Sequence, residues 1–284
     1  MTTDDSRENT YVFDPESIAE MGRLIDQDRM VTTAMGGPLA GIEESSFQNV
    51  IDLACGPGGW VLDVAFEYPA TEVCGVDISR GMIEYANARA SSQAIKNASF
   101  GVMDITQPLD FADASFDLVN ARFIFSVLKK DAWPAFLAEC TRILRPGGTL
   151  RLTEPLDPGE TTSPAFNQLA SLLLQTMHRV GYGFSTNGRT FAMAPKLMQT
   201  LHEMDYQHLR NFMSVQNYSE YMPTWADFLR NNEIAYQQML PMLVKMGLIS
   251  QQEGESLYTQ MRIELRSPDF AAMAYIITML GIKS

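Results

Sequence analysis

From about Gln48 to Pro155, short unbroken runs of apolar residues alternate with stretches in which apolar residues recur every three or four positions. The runs NVIDLAC, TEVCGVDI, SFGVMDI, FDLVNARF and TLRLTEP predict five strands. Their near-continuous apolar character is that of strands covered on both faces. Gly58 to Tyr68 predicts a helix, with Trp60 and Val64, and Val61, Ala65 and Tyr68, at helical spacing; the Tyr68–Pro69 step ends it. Arg80 to Ala90 predicts a second helix. Asp131 to Leu144 predicts a third, capped by Asp131 and ended by RPGG, with Trp133, Phe136, Leu137, Cys140, Ile143 and Leu144 in one stripe.

Strand and helix in repeated alternation predict an α/β fold, a doubly wound parallel sheet with helices on both faces. The flanks read differently. The N-terminal flank offers one helix, Glu16 to about Met35, stopped by GGP. After Pro155 the chain turns helical and rich in methionine: Leu169, Leu172, Leu173, Met177 and Val180 form one stripe, and Trp225 to Met246 forms another, interrupted at Pro241. The expected division is an N-terminal helical cover over 1–45, a ligand-binding α/β core over 46–155, and a helical lid with closing strands of the same domain over 156–284.

Composition narrows the function. Of 284 residues 46% are hydrophobic and 19% charged, enough apolar material for a sizeable core. A net charge of −13 repels a phosphate backbone, so no nucleic-acid partner is expected. The opening MTTDDSRENT is polar and acidic, unlike a secretory signal, and the longest apolar run, FAAMAYIITML, is too short to span a bilayer. A soluble, cytoplasmic protein with no membrane partner is the expectation. Cys55, Cys74 and Cys140 fit neither a disulfide framework nor a zinc site, so no metal is expected.

The chemistry concentrates at strand ends. VIDLACGPGGW is a glycine-rich strand-to-helix turn of the kind that brings bare backbone close to a ligand. The dinucleotide fingerprint G-x-G-x-x-G starts at Gly56 and Gly58 but finds Val61 where its third glycine belongs, and no Gly-Lys-Ser/Thr of a P-loop follows. By itself the turn is as consistent with a plain tight bend. Asp77 then ends the second strand about 20 residues beyond Gly56, where a carboxylate accepts both hydroxyls of an unphosphorylated ribose. Asp104 ends the third strand, placed for an adenine amino group, and Asn120 ends the fourth.

The ordered stretches DLACGPGGW, GVDIS, GVMDI, FDLVNARF and ILRPGGTLRLTEP resemble the consecutive motifs of class I S-adenosylmethionine-dependent methyltransferases. APKLMQTLHEMDYQHLRNFMSV and MAYIITMLGIKS resemble the closing helix and strands of the family's small-molecule branch, and YVFDPE…RLIDQD resembles the leading helix of a subgroup that includes fungal regulators of secondary metabolism. The resemblance implies a Rossmann-like, seven-stranded, mostly parallel sheet with an antiparallel last strand. It implies S-adenosyl-L-methionine as cofactor and S-adenosyl-L-homocysteine as product. It further implies that Ala54, Gly56 and Gly58 form a backbone cradle beside the methionine moiety, and that Asp77 holds the ribose. Ile78, Met82, Met103, Asp104 and Ile105 would close on adenine; Asn120 and Ala121 would lie near the methionine end, covered by Tyr11 with Arg23 and Gln27. This cofactor carries no phosphate, so a third glycine is not required. Many relatives carry a histidine pair where this chain has Ser126 and Val127, so that pair's role does not transfer.

The expected reaction is O-, N- or C-methylation of a small, partly apolar metabolite. His178 and Tyr182, in QTMHRVGYG on the predicted substrate wall, are the candidate bases; His202 and His208 read as surface or core-edge residues. Glu154 at the end of the fifth strand either faces substrate or caps a loop, and Met177, Met193, Met198 and Met213 are candidates to touch substrate. Cys55 and Trp60 read as packing residues. Two other readings stay open: a non-methylating reaction of the same cofactor, such as a cyclisation, and a non-catalytic binder that senses it. The helices on either flank of the lid also leave room for a homodimer.

Overall fold

The structure, a computed structural model, describes residues 11–42 and 47–284; the polar opening MTTDDSRENT and the boundary drawn at residue 45 lie outside them. Helix α1 (Ile18–Met35) starts where the Ser17 hydroxyl accepts from the Glu20 N–H and stops at Gly36, whose φ of 86° suits a residue without Cβ. The α/β core follows in the predicted order: β1 (Asn49–Leu53), α2 (Gly59–Glu67), β2 (Glu72–Asp77), α3 (Arg80–Ser92), β3 (Ala98–Val102), β4 (Phe116–Arg122), α4 (Trp133–Ile143) and β5 (Leu144–Pro155). The remainder is β6 (Glu160–Thr161), α5 (Pro164–Arg179), α6 (Met193–Glu203), β7 (Gln207–Asn217), α7 (Trp225–Lys245), α8 (Gln251–Glu264) and β8 (Ala272–Ile282).

The five strands β3-β2-β1-β4-β5 are mutually parallel, and β8 lies antiparallel between β5 and β7. An eighth short strand was not expected. Met273 of β8 pairs with Asn217 on one side and Glu160 on the other, so β6 continues the line of β5 and adds no width. The sheet is therefore seven strands wide with a single reversed strand, and its order turns back at β1, between β2 and β4. In such a sheet the crevice for a ligand opens at the carboxyl ends of the strands on either side of that point.

Core residues of β1, β4 and β5 are sealed on both faces by the helices. Trp60 of α2 packs there with Val50, Val61 and Val73, and its indole N–H donates to the Pro38 carbonyl at 2.7 Å. A second core, built on Phe166, Phe228, Tyr236, Met239 and Met261, joins α5, α7 and α8.

Two local expectations are corrected. Asp131 does not cap α4: Pro134 sits in its first turn, the helix begins at Trp133, and Ala132 takes the cap position with no side-chain bond. Nor does Pro241 interrupt α7, which runs unbroken to Lys245. The lost N–H costs one backbone bond, but Met239 and Leu243 on either side are buried in the second core and hold the helix through it.

A candidate cofactor and substrate cavity

One cavity of about 290 Å³ opens at the carboxyl edge of the sheet. One half is lined by strand ends: Asp52, residues 54–57, Asp77, Ile78 and residues 103–106. The other half is walled by α1, α5, α7 and the start of β8, with Phe13, Met177, Phe228 and Tyr236 among its residues.

The turn after β1 is drawn tight by its backbone. Ala54, Gly56 and Gly58 all have positive φ, at 57°, 53° and 76°. A Cβ on Gly58 would come within 2.5 Å of the Phe100 ring and 2.8 Å of the Ala86 methyl, so only glycine lets α2 settle on β3 and α3. The N–H groups of the turn are already committed: Gly56 N–H donates to Asp77 Oδ2 at 2.9 Å and Gly58 N–H to the Cys55 carbonyl at 3.1 Å. These two amides are therefore not offered to a phosphate.

Asp77 is held by that bond and by the Ser79 N–H on Oδ1, also at 2.9 Å. Burial pushes its carboxyl pKa up, and the N–H donors of Ser79 and Gly56 pull against that. Each oxygen keeps a lone pair for a further donor. Asp104 accepts the Thr106 N–H at 2.9 Å and the Thr106 hydroxyl at 2.7 Å, both on Oδ1, which leaves Oδ2 without a partner among the described residues. An adenosine needs these things of such an edge: a carboxylate for its diol and an acceptor for its amino group.

Asp52, Asn120 and Arg151 occupy one cross-strand row, in register from β1 to β4 to β5. Asn120 donates to Asp52 Oδ1 and accepts from Arg151 Nη1, each at 2.7 Å. Asn120 is wholly buried and absent from the cavity wall, as are Ala121 and Gly58. Asn120 and Ala121, expected near the methionine end, thus lie outside the wall: the amide nitrogen and oxygen of Asn120 both turn along the row, and it is Asp52, which the row supports, that reaches the cavity. Burial raises the Asp52 carboxyl to about 7, with Arg122 and the Asn120 bond acting to lower it.

At the same end Asp28 of α1 pairs with Arg122 of β4, and a Cβ on Gly59 would collide with the Asp28 carboxylate. Above them lies a buried polar knot. Glu20, with no exposed surface, accepts from Tyr11 at 2.5 Å, from Arg23 through two nitrogens at 2.5 and 2.8 Å, and from Gln238 of α7 at 3.1 Å. Arg23 also donates to Gln27 and to Asn231 of α7, at 3.1 and 2.9 Å. Tyr11, Arg23 and Gln27 line the cavity, with Arg23 and Tyr11 turned chiefly to Glu20.

The candidate bases fare differently. His178 is exposed on the outer side of α5, with its ring against Gly188, and does not line the cavity. Tyr182 is buried in the main core, where its backbone bridges Lys129, and is likewise outside. The neighbouring Met177 is the residue of that helix that reaches in, because α5 turns its buried face, not its charged one, toward the sheet. His202 and His208 are exposed. Glu154 caps the turn after β4, accepting the N–H groups of Ile124 and Phe125 at 3.1 and 3.3 Å. Of the other methionines named, Met193, Met198 and Met213 stay outside, while Met30, Met82, Met103 and Met239 join Met177 in the wall; Ser126 and Val127 are in it too. Asp28, Asp52, Arg122 and the α7 face were missed; the acid closing the first strand was the one visible signal among them.

Comparisons with known proteins agree with this geometry. Residues 50–148 match a family model described as a methyltransferase domain. The chain is 30% identical over 130 residues to a demethylmenaquinone methyltransferase of Lactococcus lactis, covering 45% of this chain and 49% of that protein. It is 37% identical over 127 residues to the aklanonic acid methyltransferase of a Streptomyces species, covering 44% and 56%. The chain spans about half the length of the curated relatives it matches. The fold is shared with the YcgJ protein of Bacillus subtilis, at 15% identity and a TM-score of 0.51, covering 91% of this chain and 98% of that one.

Two outcomes follow from the cross-strand row. Asn120→Ala leaves a buried carboxylate and a buried guanidinium each short of a partner, and urea denaturation should show a loss on the order of 2–3 kcal/mol. Folding keeps the proton on Asp52 to a higher pH than the unfolded chain does, since its pKa rises from 3.8 to about 7. Its contribution is therefore present below pH about 4 and is lost as pH rises through 7. Melting temperatures taken across that range should fall less steeply in Asp52→Asn than in the wild type.

Over residues 50–148 the chain is similar to methyltransferase domains.

Proposed function

We propose that this protein transfers the methyl group of S-adenosyl-L-methionine to a small, partly apolar metabolite, releasing S-adenosyl-L-homocysteine. The observation that carries the reading is the meeting, in one cavity, of a strand-end carboxylate set and an aromatic, methionine-lined helical wall. The names of the relatives, which act on demethylmenaquinone and aklanonic acid, agree with an acceptor of this kind.

The cavity residues fit the cofactor. Asp77 takes the ribose diol, the free Oδ2 of Asp104 the adenine amino group, and Ile78, Met82, Met103 and Ile105 the faces of the base. Ala54 and Gly56 give the methionine moiety close access to the backbone, and Asp52 offers its carboxylate to the ammonium group. Tyr11, Arg23 and Gln27 close this end under α1. When bound, the cofactor supplies a methyl group already made electrophilic by its sulfonium.

What remains for the chain is to orient an acceptor and keep water out. Holding two reactants in line can lower a barrier by about 7–11 kcal/mol, and the knot at Glu20 fastens α1 to α7 over the site. No side chain is assigned as a base, because neither His178 nor Tyr182 reaches the cavity. Residues 1–45 act as cover, 46–155 as cofactor core and 156–284 as lid of one domain. With its net charge of −13 the protein works in the cytoplasm on a free metabolite and not on nucleic acid. No described helix is long and apolar enough to cross a membrane.

Asp77→Ala tests the assignment. Losing charged hydrogen bonds to the diol should weaken binding of radiolabelled S-adenosyl-L-methionine about tenfold to a hundredfold, in a protein whose melt shows it folded. Wild-type affinity in that variant would sink the assignment.

A further inference from the structure

Four residues of α7 share one face and all line the cavity: Phe228, Asn232, Tyr236 and Met239. Tyr236 is 2% exposed, its ring set edge-on against Phe166 at 5.4 Å. Its hydroxyl is buried from solvent and cavity alike and has no hydrogen-bond partner among the described residues, so a ligand reaches it only by displacing the side chains over it. A buried hydroxyl left so costs about 1–3 kcal/mol, and a phenylalanine would fill the same space without that cost. One turn earlier, Asn232 spends its amide nitrogen on the Phe228 carbonyl at 2.8 Å. Its side-chain oxygen, an acceptor, is left without a partner among the described residues. The α7 face therefore carries one unspent donor and one unspent acceptor, a helical turn apart, on a wall that is otherwise aromatic and aliphatic.

The group that satisfies both at once is a hydroxyl, which accepts through its oxygen and donates through its hydrogen. Aromatic neighbours Phe228 and Tyr218, stacked on one another at 4.8 Å, favour a planar ring beside it. We propose that Tyr236 and Asn232 form the acceptor-recognition site, and that the acceptor is a hydroxylated aromatic ring whose hydroxyl takes a hydrogen bond from Tyr236 and gives one to Asn232. This rests on the proposed methyl transfer for its meaning, but not for its test. Tyr236 is a positioning residue for that hydroxyl. Sites built to bond a hydroxyl reject the analogue that lacks it far more strongly than apolar pockets reject an extra methylene.

The test uses three probes on the full chain: 2-naphthol, 2-methoxynaphthalene, which only accepts, and naphthalene, which does neither. Binding is followed by probe fluorescence with S-adenosyl-L-homocysteine present. Wild type should prefer 2-naphthol to naphthalene by about tenfold or more, with 2-methoxynaphthalene between them. Tyr236→Phe should erase most of the advantage of both oxygenated probes and Asn232→Leu that of 2-naphthol over 2-methoxynaphthalene. Tyr236→Phe should also melt at or above the wild-type temperature without ligand, because it removes an unpaired buried hydroxyl, and should bind S-adenosyl-L-homocysteine as the wild type does. The proposal is overturned if Tyr236→Phe lowers the melting temperature, if it keeps the wild-type preference, or if the wild type does not discriminate among the probes. Discrimination without any binding of S-adenosyl-L-homocysteine would instead sink the methyl-transfer reading and leave this one standing.

Discussion

The Asp77 carboxylate is the interaction on which the site depends. It sits at the last position of β2 and accepts the Gly56 N–H of the turn after β1, so one buried group fixes the turn against its neighbouring strand. Removing that carboxylate from water raises its pKa, and the amide donors around it offset part of the cost of keeping it charged. The same bonds consume the amide of Gly56, which is why a turn that looks like a phosphate cradle is not free to act as one there. With the backbone tied in this way, the Asp77 carboxylate and the bare turn keep a constant distance from each other, and Asp104 follows the next strand along.

A second constraint closes the site from above. Glu20 and Arg23 are buried charges, and such a pair stabilises only if its remaining hydrogen-bonding capacity is filled. Tyr11, Gln27, Asn231 and Gln238 fill it, and two of these belong to α7. The knot thus does more for geometry than for energy: it sets α1 and α7 in one relation, with residues of both lining the cavity. Surface pairs between Arg29 and Asp227 and between Arg230 and Asp26 follow the same seam and add little in water.

Much of this was legible in the chain. Strand periodicity fixes which residues end each strand, and Asp77 and Asp104, so marked, both line the cavity. What failed was what depends on relations between elements. Asn120 reads as one more strand-end polar group, but its amide is spent sideways on Asp52 and Arg151, and cross-strand register is not written in any one strand. His178 and Met177 are adjacent in sequence yet a helix turns successive residues by about 100°, so one is exposed and the other buried, and helix phase against the sheet decides which reaches the cavity. Tyr236 lies inside an apolar stripe, where spacing alone marks it as core. Pro241 reads as a break, because local propensity does not register the packing of Met239 and Leu243 that carries α7 through it.

The central claim is that an adenosine bearing a free diol seats across this sheet edge. Calorimetric titration of the full chain with S-adenosyl-L-homocysteine, at cofactor concentrations up to the near-millimolar range, tests it most directly. The account predicts saturable binding of one molecule per chain. The absence of any binding heat, at temperatures chosen so that a zero enthalpy is not mistaken for none, would contradict it.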